Sequence, residues 1–101
     1  MISDGISCDE KNKILRLIRA VTTDDIQVYL YGSRARGKFT NASDIDLALK
    51  AESRLDFKIV GEIKSILNEG SFLPYSFDVV DLDAISESFR EIILKDAILW
   101  K

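Results

Sequence analysis

The 101-residue chain contains 47% hydrophobic and 31% charged residues, a balance typical of a compact soluble domain rather than a disordered or fibrous chain. Histidine is absent, which excludes an imidazole base and zinc sites with imidazole ligands, so carboxylates must carry any acid, base or metal chemistry. The net charge of −3 argues against extended binding along a nucleic-acid backbone, which requires Lys and Arg opposite several phosphates.

The first part of the chain predicts a helix and then a strand. Ser7 and Glu10 have the spacing of a capping box, and apolar residues then recur at helical intervals, which predicts an amphipathic helix over residues 8–21. After a polar break at residues 22–25, the sequence alternates as in a mostly buried strand that ends at Gly32. The side chains expected to face inward from this strand are Ile26, Val28 and Leu30.

A second strand and a second helix are predicted next. The strand divides its side chains between two faces, with Ile45, Leu47 and Leu49 on one face and Asp44, Asp46, Ala48 and Lys50 on the other. Ser53 is expected to cap the following helix, and Asn68-Glu69-Gly70 to end it. The apolar stripe of this helix comprises Leu55, Ile59, Ile63, Ile66 and Leu67.

The last part of the chain predicts a strand, a helix and a short edge strand. Leu73-Pro74 favours extended geometry before a third strand over residues 77–82, which Asp78 interrupts. Residues 86–95 suit a last helix, and residues 98–100 suit the edge strand. The last helix is expected to turn Phe89, Ile92 and Ile93 inward.

This alternation of helices and strands predicts an α/β layer structure, which we expect to form a single domain over residues 1–101. The single cysteine, Cys8, cannot form a disulfide within the chain, and the N-terminus lacks the basic and apolar segments of a secretion signal. No apolar run approaches the roughly 20 residues of a membrane-spanning helix. We therefore expect a cytoplasmic protein with no membrane role.

Asp44 and Asp46 are candidates for a metal site. Two residues apart on one strand, they point the same way with Cα atoms roughly 6.6 Å apart. Neighbouring carboxylates repel each other, and a divalent cation would offset their charge. Taken alone, an Asp-x-Asp pair is more often a solvated strand face than a metal site.

Gly32-Ser33 is a candidate phosphate-binding turn. It follows a buried strand, so its backbone amides and hydroxyl lie at the carboxyl edge of the sheet, where a phosphate would be held. Arg34, Arg36 and Lys38 follow it and place positive charge beside that site. Each feature alone also suits an ordinary solvent-facing turn with surface ion pairs, so the prediction depends on their combination.

Gly32-Ser33, ten intervening residues and Asp44-Ile45-Asp46 together resemble the signature of the polymerase-β-like nucleotidyltransferases. Residues 32–37 and 43–47 are especially similar to minimal members of that family. The resemblance covers nearly the whole chain and implies helices packed on a small mixed β-sheet. It also identifies Asp78 as the third catalytic carboxylate, whereas Asp81 points to the opposite face, so a register error would exchange their roles.

The resemblance further implies a mechanism with ATP as substrate and two Mg²⁺ ions. Asp44 and Asp46 would hold both ions. Asp78 would help bind the ion at the attacking hydroxyl and accept its proton, while Gly32 and Ser33 hold the triphosphate. Arg36 is expected to steady either the turn or a phosphate.

Larger relatives add an acceptor-binding domain for which this chain has no length, so we expect the acceptor to be a separate molecule. Minimal members often pair with a small helical protein of the HEPN class, as antitoxin against a ribonuclease toxin, and some transfer AMP to a tyrosine of that toxin. The resemblance therefore implies adenylylation of a HEPN-type partner. One alternative is a non-catalytic antitoxin that neutralises its partner by binding. Another is nucleotidyl transfer to a small molecule or an RNA end in a pocket completed by a second copy, and exposed apolar surface suits either kind of interface.

Overall fold

A computed structural model describes residues 4–22 and 25–101 of the chain. In this part of the chain, α1 and α2 pack on one face of a four-stranded sheet and α3 packs on the other. Residues 23 and 24 of the expected polar break lie outside the described residues, as do residues 1–3. The elements in chain order are α1 (Cys8–Val21), β1 (Gln27–Tyr31), β2 (Ile45–Lys50), α2 (Phe57–Ser65), a π-helical turn (Ile66–Gly70), β3 (Phe77–Asp81), α3 (Glu87–Asp96) and β4 (Ile98–Leu99).

The strand order is β3-β2-β1-β4, and the sheet is mixed. β1 runs antiparallel to both β2 and β4, whereas β2 and β3 are parallel. In this register Tyr31 lies opposite Asp46, and Asp46 lies opposite Asp78. Since paired residues share a face of the sheet, these three side chains form a row across three strands.

The main core lies between the sheet and the two helices α1 and α2. Ile45, Leu47 and Leu49 are fully buried there, as predicted for this face of β2. On the opposite face Ala48 is also fully buried, because it packs against Ile93 of α3 and against Leu82, which follows β3. The face of β2 that carries Asp46 is therefore partly covered by α3.

The first helix has the predicted bounds, and the second begins later than predicted. The capping box is present in α1, where Ser7 accepts from the amide of Glu10 at 3.1 Å and Glu10 accepts from the amide of Ser7 at 2.9 Å. The N-cap of α2 is Asp56 rather than Ser53. Leu55 stays outside the helix because its amide donates to the buried carboxylate of Asp81 at 2.8 Å.

The C-terminal elements follow the prediction in position but not in every contact. α2 continues through the π-helical turn to Gly70, and β4 pairs with β1 at the edge of the sheet. Ile93 is buried in α3 as expected, whereas Phe89 and Ile92 are 39% and 68% exposed, so their predicted inward orientation is wrong. α3 meets the sheet through a narrow stripe, and among the described elements no second helix lies beside it on that face. Across residues 4–22 and 25–101, no helix combines the length and apolarity needed to span a bilayer.

Candidate active site

The row of Tyr31, Asp46 and Asp78 lies on the same face of the sheet as α3, where Tyr31 packs against the cluster of Ala48, Leu82 and Ile93 and the two aspartates stay partly exposed. Asp46 and Asp78 come from the parallel strands β2 and β3, and each is partly buried. Asp44 is exposed just before β2, on the side of the chain that Asp46 also faces. The fold therefore brings the three predicted aspartates to one end of one sheet face.

The electrostatics of this row show an excess of negative charge. Burial raises the pKa of Asp46, and the charges of Asp78 and Asp44 raise it further, while Arg36 acts in the opposite direction. Burial also raises the pKa of Tyr31 to about 12, with smaller contributions from the charges of Asp46 and Asp78. Tyr31 therefore stays protonated near neutral pH, and a cation at the row would relieve the repulsion.

The donor set at the row suits a hard divalent cation, because carboxylate oxygens are the ligands that Mg²⁺ prefers. The aspartates do not yet converge, since no group of three acidic or thiol side chains in the described ranges forms a ready-made metal cluster. Asp78 instead forms an ion pair with Lys64, with 3.3 Å between Oδ1 and Nζ. The three aspartates fit a divalent metal ion in residue type and in their mutual repulsion. On binding it, Asp78 would give up its ion pair with Lys64.

The turn after β1 brings its backbone against Asp46. Gly32 has φ +80°, and a Cβ at this position would overlap the Asp46 carboxylate. The amide of Arg36 donates to the Gly32 carbonyl at 3.2 Å, and the amide of Lys38 donates to the Ser33 carbonyl at 2.9 Å. Glycine is therefore required here for close approach, and the turn places partly exposed Ser33 beside the carboxylate row.

Comparison with known proteins identifies the family. The sequence matches the family described as Polymerase beta, Nucleotidyltransferase over residues 12–100. The chain belongs to this nucleotidyltransferase family. It is 40% identical over 86 residues to the probable protein adenylyltransferase MntA of Haemophilus influenzae, across 85% of this chain and 75% of that protein.

Solved structures agree with the family assignment and confirm the predicted fold. A toxin-antitoxin structure with AMP-PNP matches with a TM-score of 0.75 and 30% identity, over 88% of this chain and 70% of the other. A second match is the tri-AMPylated Shewanella oneidensis HEPN toxin in complex with MNT antitoxin, with a TM-score of 0.67 and 28% identity. That match covers 88% of this chain and 66% of the other.

The sequence suggested that Arg34 of this nucleotidyltransferase places its charge beside a phosphate, but the side chain is buried in the protein. Its guanidinium is 1% exposed and donates to the carbonyl of Ser43 from Nε at 3.1 Å and from Nη2 at 2.9 Å. Nη1 donates to the carbonyl of Asp4 at 2.8 Å, and the rings of Phe39 and Tyr75 lie 4.9 and 5.0 Å from Cζ. Arg34 therefore ties the turn after β1 to the residue that precedes the first aspartate.

The other basic residues of the turn, Arg36 and Lys38, are exposed. Arg36 is close enough to lower the pKa of Asp46, which places its charge near the row. Sequence reasoning grouped Arg34 with these two residues and missed its buried role. The available signal was weak, because nothing local distinguishes a buried arginine from an exposed one in such a turn.

Asp81 lies away from the row. It is buried, and its carboxylate accepts from the amide of Leu55 at 2.8 Å and from the amide of Asp83 at 3.0 Å. These bonds join the end of β3 to the segment before α2. The register thus places Asp78 opposite Asp46 and leaves Asp81 with a scaffold role.

Proposed function

We propose that this nucleotidyltransferase is a cytoplasmic antitoxin that transfers AMP from ATP to a tyrosine of a small helical HEPN-type toxin. The observation that carries the proposal is the row of Asp46 and Asp78, with Asp44 at the same end, beside the Gly32 turn. The relatives support the acceptor, since one is named a protein adenylyltransferase and another is an MNT antitoxin in complex with an AMPylated HEPN toxin.

The residues divide the work of binding and proton transfer. Ser33 and the neighbouring amides hold the triphosphate, and exposed Arg36 steadies a phosphate near Asp46. Asp44, Asp46 and Asp78 are the residues that would hold two Mg²⁺ ions. When bound, such ions stabilise the charge on the attacking and leaving oxygens of an in-line displacement at phosphorus.

The transfer itself is a substitution at the α-phosphorus. The phenolic oxygen of the acceptor tyrosine bonds to that phosphorus, and its proton passes to Asp78. The bond to the bridging oxygen breaks, and pyrophosphate leaves with both electrons of that bond. Tyr31 lies on the far side of Asp46 from Asp78, the residue that takes the proton. It therefore lines the site as an uncharged side chain and does not compete with the partner's tyrosine as the acceptor.

The test is AMP transfer to the co-purified partner. The complex is incubated with ATP and Mg²⁺, and intact mass is expected to show the addition of AMP to the partner. Asp44→Asn combined with Asp46→Asn should abolish the addition, whereas Asp9→Asn, an exposed aspartate on α1, should not. If no AMP is added and the double variant still neutralises the toxin, the protein acts by binding alone and the proposal is wrong.

A further inference from the structure

The side chain of Asn68 pairs with the edge of β3. Its Nδ2 donates to the carbonyl of Phe77 at 3.0 Å, and its Oδ1 accepts from the amide of Phe77 at 2.8 Å. β3 is an edge strand, and a neighbouring strand would satisfy an outward-facing residue with the same two bonds. Asn68 therefore takes the place of a strand at the residue directly before Asp78.

Lys64, one helical turn before Asn68, contacts the same part of β3 through its side chain. Its Nζ lies 3.3 Å from Oδ1 of Asp78, and its carbonyl accepts from Nδ2 of Asn68 at 2.9 Å. Residues four apart share a face of a helix, so one face of this segment meets both the carboxylate and the backbone that carries it.

The segment that presents these residues is firmly anchored. Leu67, in the π-helical turn, is fully buried, and its carbonyl accepts from the hydroxyl of the buried Ser71 at 2.6 Å. Ile63 of α2 is also fully buried. Turns of π-helix occur frequently at functional sites, and this one aims Asn68 at the strand edge.

We propose that Asn68 and Lys64 are positioning residues for Asp78. Asn68 fixes the backbone from which the carboxylate projects, and Lys64 balances the charge of that carboxylate until a divalent cation takes its place. The inference rests on the proposed function, in which Asp78 is the third metal-binding carboxylate. It predicts opposite effects on metal affinity, because one residue organises the ligand and the other competes with the cation.

The experiment compares Asn68→Leu and Lys64→Met with two matched controls on exposed helix positions, Asn12→Leu in α1 and Lys58→Met in α2. Binding of Mn²⁺ is measured by calorimetry with an ATP analogue that carries a methylene group between the α and β phosphates. Hydrogen exchange at the amide of Phe77 and the kinetics of AMP transfer are measured on the same proteins.

For Asn68→Leu we expect exchange at Phe77 and Mn²⁺ dissociation constants to rise about tenfold, with kcat about tenfold lower and KM for ATP unchanged. For Lys64→Met we expect Mn²⁺ to bind about threefold more tightly, with the difference shrinking as salt is raised. Both controls should match the wild type in every measurement.

Unchanged Mn²⁺ affinity in both variants, or weaker binding in both, would overturn the inference while leaving the proposed function intact. Lys64 is more than half exposed, so its variant reports even if Asn68→Leu does not fold. A wild-type protein that neither binds Mn²⁺ nor transfers AMP would instead refute the proposed function, and the inference with it.

Discussion

Replacing Arg34 with lysine tests whether this buried side chain holds the two halves of the site together. The guanidinium donates to the carbonyls of Ser43 and Asp4 at 2.8–3.1 Å and is almost fully buried. An ammonium group is a compact donor that does not span both acceptors, so Arg34→Lys leaves partly buried carbonyls unpaired, at about 1–3 kcal/mol each. We expect a loss of about 3 kcal/mol in the free energy of unfolding. For a domain of this size that loss lowers Tm by roughly 12–24 °C.

The assay is thermal unfolding, followed by AMP transfer measured well below the Tm of the variant. Because the carbonyl of Ser43 directly precedes Asp44, loosening it should reduce kcat by about tenfold even in folded protein. Arg16→Lys, at an exposed position of α1, is the control and should change neither quantity. Equal melting temperatures for Arg34→Lys and the wild type would refute the bracing role.

Three further predictions separate the site from its scaffold. Gly32→Ala should cost about 1–3 kcal/mol of stability and most of the activity, because its methyl group would overlap Asp46. Gly61→Ala in α2, whose Cβ meets open space, should instead stabilise the fold by about 0.5–1 kcal/mol. Circular dichroism melts measure the stability of both variants. Asp46→Asn should abolish AMP transfer yet raise Tm at pH 7. Because the pKa of Asp46 is raised in the folded state, the free energy of unfolding falls as pH rises from 3.8 through the shifted pKa. The uncharged amide of the variant avoids this loss. A lower Tm for that variant would contradict the repulsion at the row. Leu47→Ala should cost about 2–5 kcal/mol in denaturant unfolding, because this side chain is fully buried, and an unchanged midpoint would contradict its core position.

Periodicity predicted which residues of β2 would share a face, and the family resemblance supplied the third aspartate. Alternation placed Leu47 in the core and Asp46 opposite it, as the structure confirms. Alternation along one strand carries no information about which strand lies beside it, so the parallel register of Asp46 with Asp78 could not come from periodicity. Their catalytic roles stay predictions until transfer is measured.

The features that sequence reasoning missed depend on contacts between distant residues. The charge of Arg34 suggested a phosphate, but its guanidinium donates to the carbonyls of Asp4 and Ser43 and lies over the ring of Tyr75, which is far along the chain. Asn68 was expected only to help end a helix, and its pairing with Phe77 exists because β3 is an edge strand. Phe89 was assigned inward from helical spacing, but spacing does not say how much of a helix its neighbours cover.

The site is assembled against its own electrostatics, and the packing explains how it persists. Asp46 is partly buried near two other carboxylates, which raises its pKa and makes its charged form unfavourable in the folded protein. The same strand sends Leu47 and Leu49 into the core on its opposite face, so hydrophobic burial fixes the backbone from which the aspartate projects. On the other face, the cluster around Ala48 and Ile93 of α3 reaches Tyr31 but leaves Asp46 and Asp78 partly exposed, so the carboxylates stay accessible. The hydrophobic core thus holds together three carboxylates that repel each other until a divalent cation binds. Removing one carboxylate should therefore make the fold more stable and the enzyme inactive.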